Sequence, residues 1–295
     1  MNIRQLEAFR QIMLTGTTAR AAEAMYTSQP AISRLLGQLE ASLKMRLFER
    51  EKSRLRPTPE AKRLLAEVER AFTGMARIRE RAEWIRSGAG GSLFVACLPA
   101  LGFSVMPQII ARFRASFPDM AVQLEIHSSP EVRDRVASGR CDLGFAADEI
   151  DITGVVASPI ANRQALLALP RGHALCKNKR VRLEQLARYP FIALSQSDTV
   201  RRQLDVLLGK KGLRLKIAVE TGYSLSVASL VRCGVGIGLV NPLALGEMDR
   251  DGLELRQLDV AINFHTLSVT SAASPMSAQA ERFLELTREV IAETM

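Results

Sequence analysis

The run Thr27-Ser28-Gln29-Pro30-Ala31-Ile32-Ser33-Arg34 gathers hydroxyls, a carboxamide and a guanidinium within eight residues. A glutamine amide matches the hydrogen-bonding edge of adenine and an arginine fork matches that of guanine, while the hydroxyls of Thr27 and Ser28 suit phosphate oxygens. The same residues also serve a backbone need. Ser28 is a good helix N-cap, and Pro30 fits a first turn because its missing N–H would be unpaired there. The spacing predicts a helix with a buried stripe of Ile32, Leu35, Leu36, Leu39 and Leu43, leaving Gln29, Ser33 and Arg34 off that stripe.

Such a turn must be carried by neighbouring elements. Asn2 and Gln5 have the spacing of a capping box, Leu6, Phe9, Ile12 and Met13 form an apolar stripe, and Gly16 ends this first helix. A second helix is predicted from Thr18 to Met25, with Ala21 and Ala22 small enough for close packing. A short helix, a tight turn and a capped helix make a helix-turn-helix, whose second helix enters the major groove of double-stranded DNA. After it, LFEREKSRLRPTPEAKRLL fits a hairpin anchored by Leu47 and Phe48. Its Arg50, Lys52, Arg54 and Arg56 suit the DNA backbone or the minor groove, and Arg50 and Arg54 are the candidate contacts. From Glu60 to Arg86 no proline interrupts the chain, and Leu64, Val68, Ala71, Met75, Ile78, Ala82 and Ile85 recur at heptad steps. This helix would be roughly 40 Å long. Its stripe suits a dimerising linker, or packing on its own domain.

Charge divides along the same line. Residues 1–86 carry a net +7 of the chain's +9, and the remaining 209 residues carry +2. A basic head on a near-neutral body points to a polyanion for the head. No apolar run reaches the roughly 18 residues that span a bilayer, the N-terminus lacks the pattern of a signal peptide, and a cytoplasmic location is expected. Cys97, Cys141, Cys176 and Cys233 lie at least 35 residues apart, have no metal-ligand spacing, and read as buried reduced thiols. GxSxG, HExxH, Walker A and GxGxxG are absent, the three histidines have no triad arrangement, and neither catalysis nor a cofactor or metal is expected. The glycines of GVGIGL read as close-packing positions.

The body, 91–295, alternates strands and helices, which predicts parallel sheets joined by crossover helices. Ligands in such folds bind beyond the carboxyl ends of strands, where helix N-termini receive anions. Those ends carry Leu98, Pro99 and Ala100, then Ser128 and Ser129, then Ser195, Gln196 and Thr199, then Tyr223 and Ser224. Each hydroxyl can instead be a plain cap. Arg201 or Arg202 could meet a carboxylate, and His127 could border the cleft.

The stretch AAEAMYTSQPAISRLLGQLEASLKMRLFER followed by LRPTPEAKRLL resembles the LysR-type transcriptional regulators. The family carries a hydroxyl at position 19 to cap the second helix; here Ala19 stands there, and Thr18 is the expected substitute. The resemblance implies a winged helix-turn-helix at 1–58, a linker helix at 59–90 and a two-lobe α/β domain of the type II periplasmic-binding-protein class at 91–295. Lobe I would take 91–161 and 267–295, lobe II 162–266. It further implies a DNA-binding regulator controlled by a small effector, a dimer or dimer of dimers, and RNA polymerase as a candidate partner. MNIRQLEAFRQIMLTGTTARAAE and FVACLPALGFSVMP resemble the opine and lysine-related branch, which implies an amino-acid-like or opine carboxylate effector. The rival is a solute-binding or sensor module without a DNA role.

Overall fold

The computed structural model describes residues 1–51, 54–86, 91–246 and 251–294, which divide into two compact units, 1–80 and 81–295.

The first unit opens with α1 (Ile3–Thr15), whose Asn2 and Gln5 exchange side-chain-to-backbone hydrogen bonds of 3.0 and 2.9 Å. Gly16 at φ +77° ends it with an N–H donated to Ile12 O, a conformation costly for any residue with a Cβ. α2 (Thr18–Ala24) is capped by Thr17, whose Oγ1 accepts from Arg20 N–H at 3.2 Å. The cap therefore lies one residue before the expected Thr18, because only Thr17 has the extended backbone that a cap requires. α3 (Gln29–Leu43) buries Ile32, Leu36 and Leu39 against α1 and α2, with Leu35 and Leu43 half-buried. The hairpin follows as β1 (Phe48–Glu51) antiparallel to β2 (Arg54–Pro57). Lys52 and the side chains of Arg50 and Arg54 lie outside the described residues.

α4 (Pro59–Arg86) continues from Thr58. Its stripe serves two ends. Ala61 and Val68 are buried in the core of the first unit, and Leu64, Leu65 and Phe72 pack on that core. Val68 is thus unavailable to a partner chain, contrary to a seam running the length of the helix. Arg10 braces the arrangement by a 2.7 Å bond to Glu69 and by lying over the Phe72 ring. Further along, Ile78 is 69% exposed.

The second unit holds two sheets. The first contains β3 (Ser92–Cys97), β4 (Ala121–Ile126), β5 (Leu143–Ala147), β6 (Val155–Gln164) and β13 (Asn263–Ser271), in the order β4-β3-β5-β13-β6. The second contains β7 (Leu166–Pro170), β8 (Arg180–Val181), β9 (Pro190–Leu194), β10 (Lys216–Thr221), β11 (Ile237–Val240) and β12 (Leu253–Leu258), in the order β10-β9-β11-β7-β12-β8. Both are mixed, which corrects the expectation of parallel sheets. β3 runs parallel to β4 and β5, but β13 is antiparallel to β5 and β6. β7 is likewise antiparallel to β11 and β12. The antiparallel strands are those entering or leaving a sheet from the other lobe, with no crossover helix between them. The chain leaves the first sheet after Gln164 and re-enters at Asn263, three residues later and four residues earlier than the lobe boundaries read from sequence.

Short α5 (Pro99–Gly102), α6 (Met106–Ser116) and α7 (Ser129–Ala137) belong to the first lobe. Short α8 (Leu183–Leu186), α9 (Thr199–Lys210) and α10 (Ser224–Arg232) belong to the second. α11 (Ala278–Glu293) returns to the first lobe, where Phe283 meets Phe113 edge-on at 5.2 Å. Cys97 and Cys141 are buried, and burial pushes the Cys97 thiol up to about 12, with Cys141 adding to the shift. Cys176 is only half-buried and Cys233 is exposed, so the reading of all four as buried holds for two.

Gly238 sits where β11 passes beneath α10. An added Cβ there would lie 2.7 Å from Ile192 O and 2.5 Å from Val227 Cγ1, whereas at Gly37, in α3, it would meet nothing. Gly238→Ala is expected to destabilise the protein by about 1–3 kcal/mol, and Gly37→Ala to stabilise it by up to about 1 kcal/mol, both read from denaturant midpoints.

Candidate functional sites

The first unit presents the exposed start of α3. Ser28, Gln29, Pro30, Ser33 and Arg34 are all exposed, and Thr27 is half-buried. Ser28 occupies the N-cap position, yet its hydroxyl makes no capping bond. The polar turn is therefore not explained by capping alone. Gln29 Nε2 donates to Thr18 Oγ1 at 3.1 Å, which ties the start of α3 to that of α2. Sequence reasoning passed over Tyr26, which is 99% exposed in the turn at φ +50°. No glycine or asparagine marks that left-handed turn in the sequence, so the exposure of Tyr26 shows only in the structure.

The second unit holds a cavity of about 290 Å³ between its two sheets. The first lobe lines it with Leu98, Pro99 and Ala100 after β3, Ser128 and Ser129 at the start of α7, and Glu149 after β5. Ser195, Ser197 and Asp198 after β9, Tyr223 and Ser224 at the start of α10, and Asn241 after β11 come from the second lobe. Phe264, His265 and Thr266 enter from the start of β13. Eight of the ten predicted residues, Leu98, Pro99, Ala100, Ser128, Ser129, Ser195, Tyr223 and Ser224, thus reach it. Gln196 and Thr199 do not line it. Gln196 is exposed, and Thr199 Oγ1 accepts from Arg202 Nη2 at 3.0 Å. The cap of α9 is Asp198, whose Oδ1 accepts from Val200 and Arg201 N–H at 2.8 and 3.2 Å.

Two hydroxyls do matching structural work. Ser129 Oγ accepts from Ala147 N–H at 3.0 Å, and Ser224 Oγ accepts from Asn241 N–H at 3.0 Å. Each begins its helix and pins the end of the strand beside it. Ser128, by contrast, is engaged with Glu131, which takes its N–H at 3.2 Å and its hydroxyl at 2.8 Å. These bonds hold the Glu131 carboxyl below its ordinary range.

Arg201 does not face the cavity. It is buried and bonded to Leu194 O, Asp205 and Glu220 at 2.8, 2.8 and 3.1 Å. His127 is turned to Glu125 and Glu131. The lining instead contains two carboxylates, with no lysine or arginine among the lining residues. Burial raises the Glu149 carboxyl, against opposing bonds from its own backbone and from Ser129, and the Asp198 and Asp148 charges raise it further. Burial likewise raises Asp198, against the N–H groups it caps. Sequence reasoning missed both, because each follows a strand end that was searched for hydroxyls.

The sign of this effect on stability follows from linkage. With its folded-state affinity for a proton raised, Glu149 contributes fully below its ordinary value of 4.5, and that contribution is lost as pH rises through the folded value. Glu149→Gln should therefore raise the melting temperature at neutral pH, and the gain should vanish near about pH 4, as read by calorimetry across that range.

Comparison with known proteins bears on both units. The family described as "Bacterial regulatory helix-turn-helix protein, lysR family" matches residues 3–62, and "LysR substrate binding domain" matches residues 86–292. The transcriptional activator protein LysR of Escherichia coli K12 is 33% identical, covering 96% of this chain and 91% of its own. The octopine catabolism/uptake operon regulatory protein OccR of Rhizobium meliloti is 35% identical over 96% of this chain and 94% of its own. The crystal structure of full-length CbnR with its target DNA matches 98% of this chain and all of that chain, with a TM-score of 0.72 at 21% identity.

Proposed function

The chain belongs to the LysR family of bacterial helix-turn-helix transcriptional regulators, and from that premise we propose that a small amino-acid-like or opine carboxylate, held between its two α/β lobes, sets its action on DNA. The observation that carries this reading is the 290 Å³ cavity, lined from both lobes by the starts of α7 and α10. An anion there meets the positive end of each helix dipole. Among the described residues no helix is long and apolar enough to cross a membrane, and the protein works where its DNA is, in the cytoplasm, with RNA polymerase as the target of its regulation. A gel shift on fragments upstream of its own gene, with and without amino acids and opines, tests the proposal. A compound that binds and alters the shifted species supports it, and binding without any change in the DNA complex counts against it.

On DNA, the first turn of α3 enters the major groove. Gln29, Ser33 and Arg34 face base edges there, while Thr27, Ser28 and the N-terminal end of α3 hold phosphate. Arg50 and Arg54 of the hairpin contact the backbone on either side. Arg34→Ala is expected to cost about 1–3 kcal/mol on the cognate site and to relax preference at one position. An equal loss on random DNA in the same titration would assign Arg34 to phosphate instead.

Two copies join through α4 beyond the segment that packs on the first unit, and dimers pair again to occupy extended operators. The exposed Ile78 belongs to this seam, so Ile78→Asp should dissociate dimers in sedimentation while leaving the melting of the first unit in place. Val68→Asp should instead unfold that unit, since Val68 is 2% exposed.

A further inference from the structure

Apart from its apolar walls, the cavity has a polar lining of mixed character. Its acidic members are Glu149, on the loop after β5, and Asp198, which caps α9. One comes from each lobe, and both line the same space. Asp198 spends Oδ1 on two helix N–H groups, and a carboxylate has a second oxygen with further acceptor capacity. Arg201, one turn away, is turned outward to Asp205 and Glu220.

A second feature of the same cavity also points to an occupant. Thr266 is 2% exposed and lines it, yet its hydroxyl has no hydrogen-bond partner among the described residues. Asn241 is 3% exposed and lines it as well. Its Oδ1 accepts from Leu243 N–H at 3.0 Å, and among the described residues nothing accepts from its Nδ2. Both residues lie on the cavity wall, so these two groups are free to donate to a ligand with acceptor atoms. A carboxylate supplies those acceptors. Arg202 offsets part of the Asp198 charge, but the lining itself holds two half-buried acidic side chains and no lysine or arginine, so a cation in this space would offset the cost of their partial desolvation.

We propose that Glu149 and Asp198 form a subsite for a protonated amine or guanidinium of the effector, so that the ligand is a zwitterion whose cationic group bridges the two lobes. This rests on the cavity being the effector site. The arrangement gives closure a specific cause. A cation touching only one lobe satisfies one carboxylate, while a cation between them satisfies both and draws the lobes together, a differential contact of the kind a population shift requires. A charge-assisted bond also excludes neutral analogues, because they would leave the carboxylates unpaired.

The test uses the full-length protein and three matched probes: hexanoate, norleucine and lysine, which carry one carboxylate and zero, one and two amines. Tyr223→Trp, at a half-exposed lining position, places a fluorescent reporter in the cavity. Norleucine or lysine should perturb the reporter and bind about ten-fold or more tightly than hexanoate. In the double variant Glu149→Gln with Asp198→Asn, which keeps a capping side chain on α9, that preference should disappear. Equal binding of hexanoate to the parent protein, or a preference for the amines that survives the double variant, would overturn the acidic subsite while leaving the cavity as the binding site. A reporter silent to all three probes, with binding still seen by calorimetry, would overturn the cavity reading itself. Absence of any amine binding to the parent protein would also sink the subsite.

Discussion

The second unit depends on one narrow piece of backbone pairing. The chain passes from the first sheet to the second through Ala165 and returns through the segment ending at Ile262, and the two passages lie side by side, Ala165 N–H donating to Ile262 O at 2.8 Å. Gln203 of α9 reinforces the return, its amide exchanging bonds of 3.0 and 3.1 Å with the backbone of Asn263. Two lobes with separate hydrophobic cores joined by two adjacent strands have a natural bending line between them. The residues just past the return, Phe264, His265 and Thr266, line the cavity. A ligand in this space therefore touches the joint as well as both lobes, and contacts made only in a closed arrangement would shift the balance between open and closed.

Charge is distributed with equal economy. The excess of lysine and arginine lies in residues 1–86, while the cavity of the second unit carries two carboxylates and no arginine or lysine in its lining. The chain's basic character thus belongs to DNA recognition, not to capture of an anionic effector. The helix starts at Ser129 and Ser224 remain suited to a carboxylate, because their hydroxyls accept from strand ends and leave helix dipoles facing the cavity. The start of α9 differs, since Asp198 neutralises it. Anionic and cationic poles of a zwitterion would therefore be received by different elements.

α4 shows how one apolar stripe can carry two jobs in sequence. Its first turns complete the core of the first unit through Ala61, Val68 and Phe72, and the Arg10–Glu69 bond with Arg10 over Phe72 fixes the helix to α1. Further along, Ile78 is exposed. A heptad pattern records that a face is apolar without saying what covers it.

The helices of the helix-turn-helix and the capping box of α1 were legible in the sequence, because local signals determine them, whereas the α2 cap fell on Thr17 and the Ser28 hydroxyl caps nothing. Asn2 and Gln5, Gly16 and Pro30 act within a few residues of themselves, and the stripe of α3 states which face is buried. The strand ends of the second unit were legible too, and eight of the ten residues chosen there line the cavity. The rest depended on tertiary structure. Strand direction could not be read, since β7 and β13 run antiparallel only because the chain changes lobes there. The partner of Val68 could not be read, since the same heptad suits a core or a second chain. Glu149, Asp198, Asn241 and Thr266 stand more than forty residues apart in most pairings and meet only when two sheets close around one space. Their charges and unpaired donors acquire meaning from burial, and burial is a property of the assembled fold rather than of any local run of residues.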